Sequence, residues 1–245
     1  INTIGTINIL DAAINKNFVK SIVFITSDNC YEINNKINKY KETDRLGGLD
    51  PYSASKASSE IIIKFYKESF FKNKKICGLS SARAGNIIGG GDFSKKRLIP
   101  DIISFIKKNS KIKLRNPSFV RPWQFILDPL FGYLILAKAQ YLNPNKFSGA
   151  WNFGPTDASY KSVKEIVKLF IKKWGSGTLK KTASTKFYEH KIIKLNINKA
   201  KSKLNWKPKY NLNKSISATV DWYYKVLKEK KDIFETTMRQ IRKYI

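Results

Sequence analysis

Short apolar runs alternate with stretches of helical periodicity in the first part of the chain. Residues 22–25 form a continuous apolar run that ends at the polar residues 26–28. This pattern is typical of a parallel strand that is buried on both faces. Residues 57–71 continue a helix, and residues 76–79 form a second apolar run with a Gly-rich exit. The order strand, helix, strand predicts a βαβ unit, and therefore an α/β fold with a parallel sheet.

Helices dominate the last third of the chain. Ser162, with Glu165 three residues later, forms a capping box that predicts a helix running to about Trp174. Further helices are predicted at residues 196–206, 211–230 and 234–245.

Polar residues at the end of the first predicted strand are the first candidates for chemistry. In open α/β sheets, ligands bind outside the carboxyl ends of the strands, so we expect substrate chemistry at Ser27, Asp28 and Asn29. Tyr52 and Lys56 follow at helical spacing i and i+4, which places them on one helix face. An ammonium beside a phenol lowers the pKa of the phenol from about 10, so that a phenolate can accept a hydroxyl proton. A surface Tyr and Lys with chance spacing would give the same pair, and only the neighbouring strand end favours a redox site.

Several longer segments agree with one protein family. They are TSDNCYE at 26–32, LGGLDPYSASKASSE at 46–60, SARAGNIIGGGDFSKKRLIPDII at 81–103, LRNPSFVRPWQFILDPLFGYL at 114–134 and KLNWKPKYNLNKSI at 203–216. The chain resembles the extended short-chain dehydrogenase/reductase superfamily and, within it, the CDP-glucose 4,6-dehydratase family. The combination of RAGNIIGGGD with RPWQ carries most of this resemblance.

The resemblance implies an internal redox cycle with bound NAD. Tyr52 would take the proton of the sugar 4-hydroxyl while hydride passes to NAD, and Lys56 would support Tyr52 and contact the nicotinamide ribose. Asp28 would act as general acid when water leaves across carbons 5 and 6, after which hydride returns to carbon 6. Ser27 would complete the hydrogen bonding around the 4-oxygen. The implied reaction converts CDP-glucose to CDP-4-keto-6-deoxyglucose, which makes the protein a lyase.

The resemblance also implies substrate contacts. Arg121 corresponds to a position that binds the nucleotide phosphates, Asn86 to one that hydrogen-bonds the sugar phosphate, and Arg97 and Leu98 to a segment that lies over the substrate. Arg83 also falls inside a matched segment. A guanidinium suits a pair of phosphate oxygens, and the alternative for each of these residues is a structural contact between lobes.

Two departures from the family pattern leave alternatives open. Asn29 stands where the resemblance implies Lys or, in thymidylyl relatives, Glu, and an amide does not accept a proton at neutral pH. Either another group is the base at carbon 5, or the protein is a slow or altered enzyme, or it is an oxidising relative such as an epimerase. Phe125 stands where a His is expected.

The sequence lacks one part of a dinucleotide site. No Gly-rich turn opens a first helix with an acidic residue about 20 residues later. Residues 1–13 begin without Met and indicate a helix already under way, so we expect an incomplete amino terminus and, for the chain alone, no activity. Gly89 to Gly91 follow a late strand and are interpreted as a flexible substrate-side loop.

Together with the βαβ pattern, the resemblance implies a fold and its domains. The prediction is a Rossmann-like, doubly wound parallel sheet whose first βαβαβ half is largely missing, with an interleaved smaller substrate-binding lobe. Residues 1–88 would form the remaining NAD-binding domain, and residues 89–245 mainly the substrate lobe. Residues 119–142 would return to the Rossmann sheet, with a strand at 125–127 and a helix behind it at 129–141.

Composition bounds the partners. The formal net charge of +29 raises nucleic-acid binding as a function class, but lysines are spread over every predicted element and no nucleic-acid-binding motif occurs. We therefore expect a nucleotide-sugar partner and no nucleic acid. A non-catalytic sugar-nucleotide-binding or oligomerising remnant is a third hypothesis.

Other features refine this picture. No apolar run is long enough to span a bilayer, and no signal peptide is evident, so we expect a cytoplasmic protein without a membrane partner. Cys30 and Cys77 lack metal-ligand spacing, which predicts buried free thiols and no metal site. We expect a homo-oligomer. His190, the only histidine, is either a surface residue or a phosphate or ribose contact.

Overall fold

The computed structural model describes residues 1–14, 16–34, 36–71, 77–114, 116–180 and 193–245. The chain divides into two compact units. The first comprises Ile1–Gly85, Pro129–Gly154 and Ile193–Lys207, and the second comprises Asn86–Asp128, Pro155–Ile192 and Pro208–Ile245. The predicted division had a boundary at residue 88 and one return to the first domain over 119–142. The chain passes between the two units more often than this prediction requires.

The first unit is a parallel sheet with helices. Its elements are α1 (Asn2–Ile14), β1 (Ser21–Ile25), a 3₁₀ turn (Asp28–Cys30), α2 (Pro51–Tyr66), β2 (Gly78–Ala84), most of α4 (Leu127–Leu142), α5 (Pro144–Phe147), β6 (Gly149–Phe153) and α7 (Asn198–Leu204). The strand order is β1-β2-β6, and both pairs are parallel. The predicted βαβ unit and the α/β class are confirmed.

The strands of this sheet differ in burial. Every residue of β2 is buried, whereas β1 is only partly buried and Ile25 is exposed. Among the described residues, β1 pairs on one side only, with β2. The prediction that β1 is buried on both faces was therefore wrong for this sheet, because β1 occupies its edge.

The third strand of the sheet is not the predicted one. Gln124–Phe125 forms a short strand, β5, that pairs with β3 (Ile87–Ile88) in the second unit. The third strand is β6, which aligns Gly149 with Ser80 and Phe153 with Ala84. Trp151 and Phe153 are buried side chains of β6. Both side chains belong to one apolar core, and α7 packs on β6. These contacts explain why β6, and not the strand predicted at 125–127, completes the sheet.

The second unit consists of helices with two short two-stranded sheets. Its elements are β3 (Ile87–Ile88), α3 (Leu98–Lys107), β4 (Val120–Pro122), β5 (Gln124–Phe125), β7 (Tyr160–Ser162), α6 (Val163–Trp174), α8 (Leu212–Leu227) and α9 (Ile233–Tyr244). β4 and β7 are antiparallel. One apolar core joins α3, α6 and α8, and Ile102, Phe170 and Tyr223 are fully buried in it.

The glycines of the run at 89–91 are closely packed. A Cβ atom on Gly90 would lie 2.1 Å from Trp222, and one on Gly89 would lie 2.5 Å from Ile126. Gly91 has a φ of +85°. Close approach and a left-handed backbone therefore account for the glycines, which the sequence had indicated as a flexible loop.

The predicted capping box is confirmed. The Ser162 side chain accepts a hydrogen bond from the Glu165 backbone N–H at 3.2 Å, and Glu165 accepts one from the Ser162 backbone N–H at 2.8 Å. They satisfy donors that the first turn of α6 would otherwise leave open. The hydrogen bonds that the Ser162 backbone N–H and the Ser162 hydroxyl donate to the Glu165 carboxylate lower the pKa of Glu165.

Ser162→Ala is expected to lower the free energy of unfolding by about 1 kcal/mol, the typical loss for a serine cap. Chemical denaturation measures the change. Ser217→Ala is the matched control, because within the described part of the chain the Ser217 hydroxyl bonds only back to Asn213 O in α8, at 2.8 Å, and such bonds add little to a helix. Equal losses in both variants would contradict the capping account.

Candidate active site

Local sequence places Tyr52 at the start of α2. The Asp50 carboxylate accepts hydrogen bonds from the backbone N–H groups of Tyr52 and Ser53, at 2.9 and 3.0 Å. Pro51 follows this cap at the first helical position, where its fixed φ favours the helix. Tyr52 therefore lies in the first turn, and its side chain is 48% exposed. A phenol in this position is accessible to a ligand.

Ser27, Asp28 and Asn29 form a tight turn at the carboxyl end of β1. Ser27 caps the 3₁₀ turn, since its Oγ accepts from the Asn29 N–H at 3.2 Å. The same hydroxyl donates to Asp28 Oδ1 at 3.2 Å. Ser27 and Asp28 are buried and Asn29 is partly buried. The turn thus fixes a hydroxyl and a carboxylate side by side.

Lys56 joins α2 to this strand end. Its Nζ donates to the Ile25 carbonyl at 3.2 Å. Burial lowers the pKa of Lys56, and the Glu60 carboxylate opposes this shift. The structure therefore brings Lys56 to the residues that lead into Ser27 and Asp28, with Tyr52 one turn earlier on the same helix.

Sequence reasoning missed a buried ionic group below this site. Glu60 accepts hydrogen bonds from Thr26 Oγ1 at 2.5 Å and Ser81 Oγ at 2.7 Å, and it forms an ion pair with Arg83 at 2.6 Å. Arg83 Nη1 also donates to the Tyr31 hydroxyl at 2.8 Å. We call these five residues the Glu60 network. Helical spacing alone placed Glu60 one turn after Lys56, but its strand partners are distant in sequence.

Arg83 therefore has a structural contact within the first unit. It is 3% exposed, and its guanidinium is engaged by Glu60 and Tyr31. Two interpretations were open for Arg83, phosphate binding and a structural contact between lobes. The structure supports a structural contact, but one that lies inside the first unit.

Three of the predicted substrate residues line one cavity in the second unit. The cavity has a volume of about 200 Å³ and is lined by Asn86, Leu98 and Arg121. The Arg121 guanidinium lies 5.2 Å from the centre of the Phe119 ring, and its Nη1 donates to Val120 O at 3.0 Å. These contacts orient the guanidinium at the cavity.

The remaining lining is mixed in character. Lys96, Lys113, Asp101 and Asn116 supply polar groups, and the apolar lining residues are Ile102, Ile112, Leu114, Phe119, Trp123 and Val163. Arg97 does not line this cavity; it is exposed and lies 3.8 Å from the Asp92 carboxylate. The structure therefore groups Asn86, Leu98 and Arg121 and leaves Arg97 outside that group.

Other predicted positions have different outcomes. Ser27, Asp28, Asn29, Tyr52 and Lys56 lie in the first unit, and the substrate residues lie in the second. Phe125 is buried and stacks on Tyr210 with ring centres 5.0 Å apart. His190 lies outside the described residues.

No helix in the described ranges is long and apolar enough to cross a membrane. The same part of the chain contains no group of three or more His, Cys, Asp or Glu side chains arranged to hold a metal ion. Cys30 is buried and Cys77 partly so, both are free thiols, and burial raises the pKa of each.

Comparison with known proteins identifies the relatives of this chain. Residues 1–219 match the family model described as GDP-mannose 4,6 dehydratase. The CDP-glucose 4,6-dehydratase of Salmonella typhimurium is 36% identical over 100% of this chain and 69% of that protein. A dTDP-glucose 4,6-dehydratase of Dictyostelium discoideum is 27% identical over 69% of this chain and 39% of that protein.

A solved structure shows the fold. The dTDP-glucose 4,6-dehydratase of Bacillus anthracis, solved in complex with NAD, superposes with a TM-score of 0.77 at 24% identity, covering 91% of this chain and 68% of that one. These matches confirm the predicted resemblance to nucleotide-sugar 4,6-dehydratases and the Rossmann-type fold. The chain belongs to the GDP-mannose 4,6 dehydratase family.

Proposed function

We propose that this protein is a lyase that converts CDP-glucose to CDP-4-keto-6-deoxyglucose. The observation that carries the proposal is the position of Lys56, whose ammonium bonds to the end of β1 beside the Ser27 and Asp28 turn. The 36% identity to a CDP-glucose 4,6-dehydratase over the whole chain supports the nucleotide.

NAD is the proposed cofactor, and residues of this chain fit its nicotinamide end. The exposed Tyr52 hydroxyl and the Lys56 ammonium are the groups that would contact the nicotinamide ribose. The sequence contains no Gly-rich turn for the pyrophosphate. When bound, NAD would supply a hydride acceptor for carbon 4 and a hydride donor for carbon 6.

Tyr52 and Lys56 would act in the first step. Tyr52 would accept, as general base, the proton of the sugar 4-hydroxyl. Lys56 is held by the Ile25 carbonyl and stays on the Tyr52 face of α2. Ser27, fixed by its bond to the Asn29 N–H, would hydrogen-bond the 4-oxygen.

Asp28 would act in the elimination step. The ketone at carbon 4 acidifies the proton on carbon 5, and loss of the 6-hydroxyl as water requires a proton donor. Asp28 is buried, and its Oδ1 accepts a hydrogen bond from the Ser27 hydroxyl. A carboxyl group next to the reacting carbons can donate that proton.

Asn29 leaves the carbon-5 base unassigned. Its backbone N–H is used in the turn, and its amide side chain does not accept a proton at neutral pH. This observation favours one alternative function, an epimerase that oxidises carbon 4 without eliminating water. In that case Tyr52 would return the proton to the 4-oxygen while the hydride held by the cofactor is delivered to the other face of carbon 4.

The cavity of the second unit would hold the nucleotide part of the substrate. Its volume of about 200 Å³ is below the 300–1,000 Å³ of sites for whole drug-sized ligands, so it would take one part of a sugar nucleotide. Apolar side chains suit a base, and the Arg121 guanidinium suits a pair of phosphate oxygens.

Arg121→Lys is expected to weaken CDP-glucose binding by about 1–3 kcal/mol, because a point charge replaces a planar pair of donors. Calorimetric titration of the protein expressed from its complete gene measures the change. Arg239→Lys, on the exposed face of α9, is the control and should bind normally. Equal affinity in wild type and Arg121→Lys would assign Arg121 to packing.

The proposed function is tested with four substrates. CDP-, dTDP-, UDP- and GDP-glucose are each incubated with NAD and the protein, and the products are separated by chromatography. The proposal predicts a keto-deoxy product, formed fastest from CDP-glucose. Formation of CDP-galactose instead would establish the epimerase, and no turnover of any substrate would overturn both.

Two further features stay predictions. A homo-oligomer is supported by apolar side chains that α1 and α2 expose, namely Ile4, Ile61 and Phe65. The cytoplasmic location follows from the sequence pattern alone.

A further inference from the structure

One buried carboxylate fastens α2 to the ends of two strands. Glu60 is 3% exposed, and one of its carboxylate oxygens accepts a hydrogen bond from the hydroxyl of Thr26, the residue after β1. Ser81 Oγ and Arg83 Nη2, both from β2, bond to its other oxygen. A single side chain therefore ties α2 to the ends of both strands.

The same helix makes a second attachment one turn earlier. Lys56 bonds to the carbonyl of Ile25, and Glu60 bonds to the hydroxyl of Thr26. Two successive turns of α2 are thus tied to two successive residues of the chain. These residues lead directly into the turn that carries Ser27 and Asp28.

The network also holds the far side of that turn. Tyr31 follows the 3₁₀ turn Asp28–Cys30, and its hydroxyl accepts a hydrogen bond from Arg83 Nη1 at 2.8 Å. The Tyr31 hydroxyl in turn donates to Asn152 Oδ1 on β6 at 2.8 Å. Thr26, before the turn, is therefore bound to Glu60. Tyr31, after the turn, is bound to Arg83, which forms the ion pair with Glu60.

Stability alone is a weak reason for this arrangement. Both side chains of the Glu60 and Arg83 pair are nearly inaccessible to water, and Arg83 Nε is buried without a hydrogen-bond partner among the described residues. Desolvation of two buried charges largely cancels their attraction, and apolar side chains of similar size often stabilise a fold as well. A geometric role for the pair explains its contacts better.

We propose that Glu60 and Arg83 are positioning residues, which hold the Ser27–Cys30 turn in place against Lys56. They touch neither substrate nor cofactor and act through Thr26, Tyr31 and Lys56. This inference rests on the proposed function in one respect, since it assigns catalytic work to the turn. The geometric part is independent of the reaction.

The test compares a single with a double variant in the protein expressed from its complete gene. Glu60→Gln strands the buried Arg83 charge and should lower the melting temperature markedly. Glu60→Gln with Arg83→Met removes both charges and should recover much of that loss. Its kcat with CDP-glucose should nevertheless stay about 10–100-fold below wild type, with KM unchanged, because a misplaced catalytic group costs rate.

Gln140→Met is the matched control. Gln140 is fully buried and bonds to Ser21 Oγ and Gly78 O at the other ends of the same two strands. Its replacement should lower the melting temperature while leaving kcat at the wild-type value. Recovery of wild-type kcat by the double variant, or an equal loss of kcat in Gln140→Met, would overturn the inference.

Hydrogen exchange separates this inference from the proposed function. The Asn29, Cys30 and Tyr31 amides bond within the turn, and their exchange should quicken in the double variant but not in Gln140→Met. Unchanged exchange would overturn the positioning role even if wild type is an active dehydratase. If the wild type is inactive but the turn amides exchange faster in the double variant, the proposed function is wrong and the positioning role stands.

Discussion

Tyr52→Phe is expected to reduce kcat for CDP-glucose by at least 10²–10⁴-fold, the usual contribution of a positioned acid or base. The substitution removes the phenol that would accept the 4-hydroxyl proton, so oxidation at carbon 4 should stop before any NADH or keto-deoxy product accumulates. Single-turnover absorbance measures NADH, and chromatography measures product. Tyr52 is about half exposed at the start of α2, so little stability should be lost.

Two other variants make this result interpretable. Tyr141→Phe removes an exposed phenol from α4 and should leave turnover unchanged. Asp28→Asn should leave oxidation partly intact but slow the loss of water, because the amide is a poor proton donor. If Tyr52→Phe keeps substantial turnover, or if Asp28→Asn blocks NADH formation as completely, the assigned roles are wrong.

Asn29→Lys is expected to increase the rate of water loss, by up to 10²–10⁴-fold if the missing carbon-5 base limits the reaction. The position is partly buried in the turn beside Asp28, so a new amine would lie close to the reacting carbons. Exchange of the carbon-5 proton with solvent and formation of product both measure this step.

The charge itself requires a control. Asn17→Lys adds the same charge at an exposed position before β1 and should not change the rate. An unaltered rate in Asn29→Lys, with wild type already turning over at about 1 per second or faster, would show that the carbon-5 base lies elsewhere.

Local signals in the sequence predicted the elements that carry the reacting residues. The four-residue spacing of Tyr52 and Lys56 predicted their common helix face. The structure adds that Asp50 and Pro51 determine where this helix, α2, begins. The capping box at Ser162 likewise depends on residues three apart and was confirmed. Such features need no information on the rest of the fold.

Long-range pairing explains what the sequence did not predict. The apolar residues at 125–127 are typical of a sheet strand, yet Phe125 pairs with β3 and stacks on Tyr210. Nothing local distinguishes this strand from β6. Glu60 and Arg83 were overlooked for the same reason, because their 2.6 Å contact joins a helix to a strand 23 residues away in sequence.

Mass spectrometry of the product formed in heavy water tests the central claim most directly. The protein expressed from its complete gene is incubated with NAD and CDP-glucose in D₂O. A 4,6-dehydratase removes the carbon-5 proton, expels the 6-hydroxyl and takes a solvent proton back at carbon 5. The account therefore predicts a product that is lighter by one water and carries a single deuterium at carbon 5. A product of unchanged composition, without deuterium at carbon 5, would contradict it.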